Sequence, residues 1–189
     1  MLYEILTFLV EVAVTLVGGA CLLRLYMRWR RMSLANPVGR LVLAFTDWLV
    51  RPLQRVLPAR GSFDLASLLA AWLLKLLQYA LLMLMLGLPG WGLLPVLGVL
   101  GVARLAVSVA SAIIIIAAVL SWTGQRTLIT DVLQSLAEPM LAPLRRLLPL
   151  VGGIDLSPLL ALVLLQVAGI AVGSLQAQLL GSTVVLGTG

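Results

Sequence analysis

The chain has 189 residues, 62% of them hydrophobic and 11% charged, with a mean hydropathy of +1.15, more apolar surface than a soluble core of this size could bury. The net charge is +6, histidine is absent, and the single cysteine, Cys21, lies inside an apolar run. A disulfide framework, histidine-bound metal or haem, and nucleophiles activated by histidine are therefore excluded.

The first apolar run, Ile5–Tyr26, is long enough to cross the roughly 30 Å hydrocarbon core, which takes about 20 residues. No basic residue precedes it, and arginines rather than a small-residue cleavage site follow it. It therefore reads as a retained span, with Cys21 as a small packing residue and Glu11 within the apolar stretch.

Residues 27–64 form a surface segment carrying Arg28, Arg30, Arg31, Arg40, Arg51 and Arg55, interleaved with Trp29, Leu41, Phe45, Trp48 and Leu49. Leu41, Phe45, Trp48 and Leu49 stand at helical spacing, with Arg40, Asp47, Arg51 and Arg55 on another side. This pattern predicts a short amphipathic helix in the membrane interface, suited to anionic phospholipid rather than to nucleic acid. The block Pro52–Pro58 excludes a helix running through both prolines and is expected to end the surface segment. Asp64 stands before the second span, 65–86, as its N-cap; that span carries Lys75 and Gln78.

A short uncharged Gly/Pro turn leads to the third span, 93–120, which holds Arg104 and a small face at Ser108 and Ala112. A second surface segment, 121–155, repeats the helical spacing at Leu128, Val132, Leu133 and Leu136 and carries Arg145 and Arg146. Asp155 then caps the fourth span, 156–180, in which Gly169 and Gly173 form a G-x-x-x-G packing face.

The two halves match. Pro52-Leu53-Gln54-Arg55-Val56-Leu57-Pro58 returns as Pro143-Leu144-Arg145-Arg146-Leu147-Leu148-Pro149 at an offset of 91, and Gly61, Asp64, Leu65 and Ala70 fall on Gly152, Asp155, Leu156 and Ala161 at the same offset. The expected fold is therefore all-α and polytopic: four transmembrane helices in two parallel tandem repeats, residues 1–90 and 91–189, each with an interfacial helix on the cytoplasmic side. Both surface segments are arginine-bearing and the other connections uncharged, which places both termini on the side opposite the cytoplasm.

Ionisable groups in hydrocarbon cost about 2.5–3.5 kcal/mol each on insertion scales, so Glu11, Lys75 and Arg104 are expected to face the bundle interior. Aligning the repeats on Trp29 and Trp122, an offset of 93, puts Glu11 and Arg104 at equivalent depth. They are expected to pair, with Lys75 and Gln78 nearby, either fixing how the halves dock or lining an ion path. No Gly-rich phosphate loop, metal cluster or activated nucleophile is present in the sequence, so neither an enzyme nor a cofactor is expected.

The residues Asn36-Pro37-x-Gly39-Arg40, Phe45-Thr46-Asp47-Trp48, Gly61-Ser62-Phe63-Asp64-Leu65-Ala66, Glu138-Pro139-x-Leu141-x-Pro143 and Gly152-Gly153-Ile154-Asp155-Leu156-Ser157-Pro158, together with the Pro52 block, resemble the YggT family. These are bacterial inner-membrane proteins also found in plastids, and the two-repeat form is that of Gram-negative members. The resemblance implies links to osmotic or ionic stress tolerance, to cell division or nucleoid distribution, and to assembly of membrane cytochromes. It implies no catalytic residue.

Two functional readings follow. The first is a membrane scaffold or assembly factor that uses the arginine-rich shelf and docks other membrane proteins or a second copy of itself. The second is a small ion transporter or channel built on Glu11, Lys75 and Arg104.

Overall fold

The computed structural model describes residues 2–57, 63–87, 91–123, 127–147 and 155–186, which form helices and their immediate caps. In chain order the helices are α1 (Leu2–Trp29), α2 (Pro37–Val56), α3 (Leu65–Leu86), a 3-10 turn (Trp91–Leu93) leading into α4 (Leu94–Thr123), α5 (Leu128–Leu147) and α6 (Ser157–Leu186). Pro58, Pro149, Gly61, Gly152 and the turn residues 88–90 lie outside the described residues.

Helices α1, α3, α4 and α6 are each long and apolar enough to cross a membrane. The shortest, α3, has 22 residues, which at 1.5 Å per residue is about 33 Å. Their outward faces carry Ile5, Phe8, Leu9, Leu16, Val163, Val167 and Ile170, all exposed, as a lipid-facing surface requires. The interior is built instead from small or slender groups: Cys21, Leu22, Ala66, Ala70, Ala71 and Leu105 form one packed cluster. Without a hydrophobic drive between helices in lipid, such close van der Waals packing is what holds spans together.

Each repeat is a span, a surface helix and a span. Within repeats α1 packs on α3 and α4 on α6; between them α3 and α1 both meet α4. Gly101 is essential to this seam, because a Cβ there would come within 2.8 Å of the Tyr79 ring and 3.2 Å of the Lys75 stem. The surface helices α2 and α5 touch each other, and each follows the first span of its repeat, so α1 and α4 run toward the same end of the bundle. The two repeats are parallel. A second apolar cluster at that end joins Met27 of α1 and Ile113, Ile114 and Ala117 of α4 to Leu133, Leu136 and Leu141 of α5.

The motif before α2 now has a physical account. Asn36 caps the helix by accepting from the Gly39 N–H at 2.6 Å, and Pro37 occupies the first turn, where its missing N–H is harmless. Gly39 lies so close to Leu34 that a Cβ would stand 2.5 Å from the Leu34 carbonyl oxygen. From there Gly39, Val42, Thr46 and Val50 make the buried stripe, while Leu41, Phe45 and Trp48 point outward.

Neither surface helix runs through both prolines of its block, though each runs through the first. Pro52 lies inside α2, which ends at Val56, and α5 runs through both Pro139 and Pro143 to Leu147. A proline removes only the bond to the carbonyl four residues earlier, and Pro139 and Pro143 are themselves one turn apart, so the loss is confined to one face. Pro52 and Pro143 are exposed, which leaves the freed carbonyls to an outer, hydratable side.

Candidate functional site

Two polar sites are built into the bundle, one at each end. The first lies beneath α2 and centres on Arg24 and Asp64, which are 5% and 0% exposed. Arg24 Nη1 donates to Thr46 Oγ1 at 2.9 Å and to Asp47 Oδ1 at 2.8 Å, and its Nε stands 3.5 Å from Asp64 Oδ2. Asp64 also receives Arg28 Nη1 at 3.1 Å, Gln54 Nε2 at 3.1 and 3.3 Å, the Ser67 hydroxyl at 2.9 Å and the Ser67 N–H at 3.3 Å. Arg51 closes the outer side on Asp47 at 2.6 Å.

Asp64 is thus the N-cap of α3, as its position before the apolar run implied, and also the acceptor on which three segments converge. Burial alone would raise its carboxyl pKa, but the hydrogen bonds from Ser67 and Gln54 and the charge of Arg28 outweigh that and hold it below the usual carboxylate range. Arg24, inside the first apolar run, is the residue the sequence reading does not single out. Its only signal was its place one helical turn before Arg28, on the face that meets Asp64.

The second repeat builds the same clamp from different parts. Asp47, Gln54 and Asp64 correspond to Glu138, Arg145 and Asp155 at the offset of 91, and Arg24 corresponds to the buried Ala117 at the offset of 93. The cation therefore moves from the span to the surface helix: Arg145 Nε donates to Asp155 Oδ2 at 2.8 Å, and its Nη1 to Glu138 Oε2 at 2.7 Å. Asp155 Oδ1 accepts from the Ser157 N–H at 2.9 Å, capping α6. Burial tends to raise the Asp155 carboxyl, but Ser157 and Arg145 hold it low. This clamp is largely exposed, unlike the first.

The second site is a cleft of about 630 Å³ at the opposite end, lined by all four spans. Glu11, Lys75, Gln78 and Arg104 all line it, with Tyr79, Ser108 and Gln176. The buried ion pair expected between Glu11 and Arg104 is not formed: both residues are exposed to the cleft, and among the described residues neither makes an ion pair. Glu11 of α1 and Arg104 of α4 line the same cavity without forming an ion pair. Lys75, 8% exposed, donates instead to Gln78 Oε1 at 2.9 Å, and Gln176 Nε2 donates to the Tyr79 oxygen at 2.7 Å. Toward the surface helices the cleft closes on packed residues, where a Cβ on Gly18 would meet Leu105 at 2.9 Å.

The arginine shelf divides in two. Arg28, Arg51 and Arg145 are engaged in the clamps, whereas Arg30, Arg31, Arg40, Arg55 and Arg146 are exposed and form no ion pair among the described residues. Trp48 is 65% exposed beside Leu41 and Phe45. Of the glycine pair in α6, only Gly169 approaches a neighbour, 3.5 Å from Val107 at its Cβ position; Gly173 borders the cleft and packs against nothing.

A family model described as CCB3/YggT matches residues 3–85 and 96–176, one stretch in each repeat. The chain belongs to the CCB3/YggT family. This YggT-family protein is 36% identical over 171 residues to the uncharacterised protein YggT of Escherichia coli K12, covering 88% of each chain. It is 32% identical over 174 residues to an uncharacterised Vibrio alginolyticus protein, covering 90% of this chain and 94% of that one. A Haemophilus influenzae protein, likewise uncharacterised, is 34% identical over 149 residues, covering 76% of this chain and 78% of its own. No solved structure matches.

Proposed function

We propose that this protein is a non-enzymatic adaptor of the bacterial inner membrane, whose surface-helix shelf grips anionic phospholipid on the cytoplasmic side and docks a larger membrane complex. One observation carries this reading: α2 is anchored to the spans by the buried Arg24–Thr46–Asp47 contacts while Leu41, Phe45 and Trp48 face outward beside Arg40 and Arg55. A surface helix held that rigidly presents a preorganised face, which lowers the ordering cost of docking. The links of the family to stress tolerance, cell division and cytochrome assembly fit an accessory role.

The test is purification in mild detergent at natural expression level, comparing the native chain with a Phe45→Ser, Trp48→Ser variant. A stoichiometric membrane partner that is retained by the native chain and lost by a still-folded variant is the expected result. A native chain that runs alone, or a partner indifferent to both changes, would overturn it.

A second reading, a small ion transporter, is favoured by Glu11, Lys75 and Arg104 facing one cleft without pairing. Under it, Glu11→Gln alters ion flux in liposomes while the protein stays folded; under the adaptor reading flux is absent in both forms.

A further inference from the structure

The cleft holds more positive charge than the protein neutralises. Lys75 and Arg104 bring two cations against the single carboxylate of Glu11. Lys75 spends one of its three protons on Gln78, and the Arg104 guanidinium meets no acceptor among the described residues. Tyr79 accepts from Gln176 through its oxygen, which leaves its O–H proton free to donate into the same space. Between membrane-spanning helices, donors of this strength without a partner are costly, and one oxyanion would answer all three.

The mouth has a different chemistry. Leu6, Val10, Leu82, Met85 and Leu180 rim the cleft toward the end away from the surface helices. A volume of about 630 Å³ falls within the roughly 300–1,000 Å³ of ligand sites, and apolar walls with a few convergent polar groups are the usual composition of such sites. We infer that the cleft binds the phosphate head of an anionic amphiphile, with oxygens on Arg104, Lys75 and Tyr79 and the acyl chain leaving past Met85 and Leu180. Guanidinium and ammonium groups are the side chains that best match phosphate oxygens. The inference goes beyond the adaptor reading and does not depend on it, since the shelf lies at the other end of the bundle.

The test is native mass spectrometry of the delipidated full chain titrated with phosphatidylglycerol, with diacylglycerol as the phosphate-free control and inorganic phosphate as competitor. Three variants are compared. Arg104→Gln removes the free guanidinium; Gly173→Leu fills the cleft from a position where an added Cβ meets nothing within 4 Å, so it is expected to fold. The Arg40→Gln, Arg55→Gln pair reports binding at the shelf. One tight phosphatidylglycerol is expected to weaken roughly ten- to a hundred-fold in the first two variants and to stay in the third. Displacement of that lipid by millimolar phosphate, still dependent on Arg104, would keep the oxyanion site and make the occupant a soluble phosphate. Equal retention of phosphatidylglycerol in native, Arg104→Gln and Gly173→Leu chains would overturn the proposal.

Discussion

Arg24 and Asp64 show how a single pair can matter more than a shelf of surface charge. Arg24 is buried and links Thr46, Asp47 and Asp64, so removing it takes the buried cation from two carboxylates at once, at a cost of up to about 3–5 kcal/mol. Arg24→Gln is therefore expected to lower the unfolding midpoint in mild detergent strongly. Arg28→Gln should do far less, since Arg28 is half-exposed and Asp64 keeps its other donors. The pH dependence has a definite sign. A carboxyl held below its usual value contributes stability that is complete above about pH 4 and drains away as pH falls through the depressed folded value. Asp64→Asn should flatten that acid limb, and thermal unfolding followed from pH 6 to pH 3 checks it; an unchanged limb would remove Asp64 from the account. Arg31 is a different kind of residue. Its φ of 54° is left-handed, and the Met32 N–H reaches back to the Met27 carbonyl at 2.9 Å to close α1. A non-glycine there costs about 1–2 kcal/mol, so Arg31→Gly is expected to raise stability by up to about 1 kcal/mol. If it also weakens binding to vesicles containing phosphatidylglycerol, the strain at this position is retained for the charge it displays.

At the scale of elements, the surface helices and the seam between α3 and α4 depend on close approach. Gly39→Ala would drive a methyl into the Leu34 backbone, which cannot yield as a side chain can, and should loosen the start of α2. Faster amide exchange over α2, with α3 unchanged, is the expected signature. The amphipathic spacing of Leu41, Phe45 and Trp48 and the capping role of Asp64 were both legible from residue order, because caps and helical faces are set by neighbours three or four positions apart. The proline blocks were read as ruling out a helix through both prolines, and α2 and α5 do end at Val56 and Leu147, before the second proline of each, while Pro52, Pro139 and Pro143 are tolerated inside them. Arg145, read as part of a lipid surface, proved to bridge Glu138 and Asp155.

Across the whole molecule, duplication preserved a clamp and redistributed its parts. The first repeat seals Asp64 with arginines from α1, while the second uses Arg145 of α5 in an exposed setting and leaves Ala117 in the place of Arg24. Exposed pairs are worth about 0–1 kcal/mol and are screened by salt, so α5 is expected to detach before α2. Limited proteolysis at rising salt should cut around α5 first and reach α2 only on global unfolding; the reverse order would contradict the asymmetry. The sequence by itself determined four spans, two surface helices, the parallel repeat and family membership, because hydropathy, length and self-similarity are properties of residue order. The tertiary structure alone decided which charges meet. Glu11 and Arg104 line one cleft, yet form no ion pair across it. Arg24, unremarked in its apolar run, is brought to Asp64 some forty positions away. Depth follows from counting along a helix, but pairing depends on helix rotation and close packing, which only the assembled bundle sets.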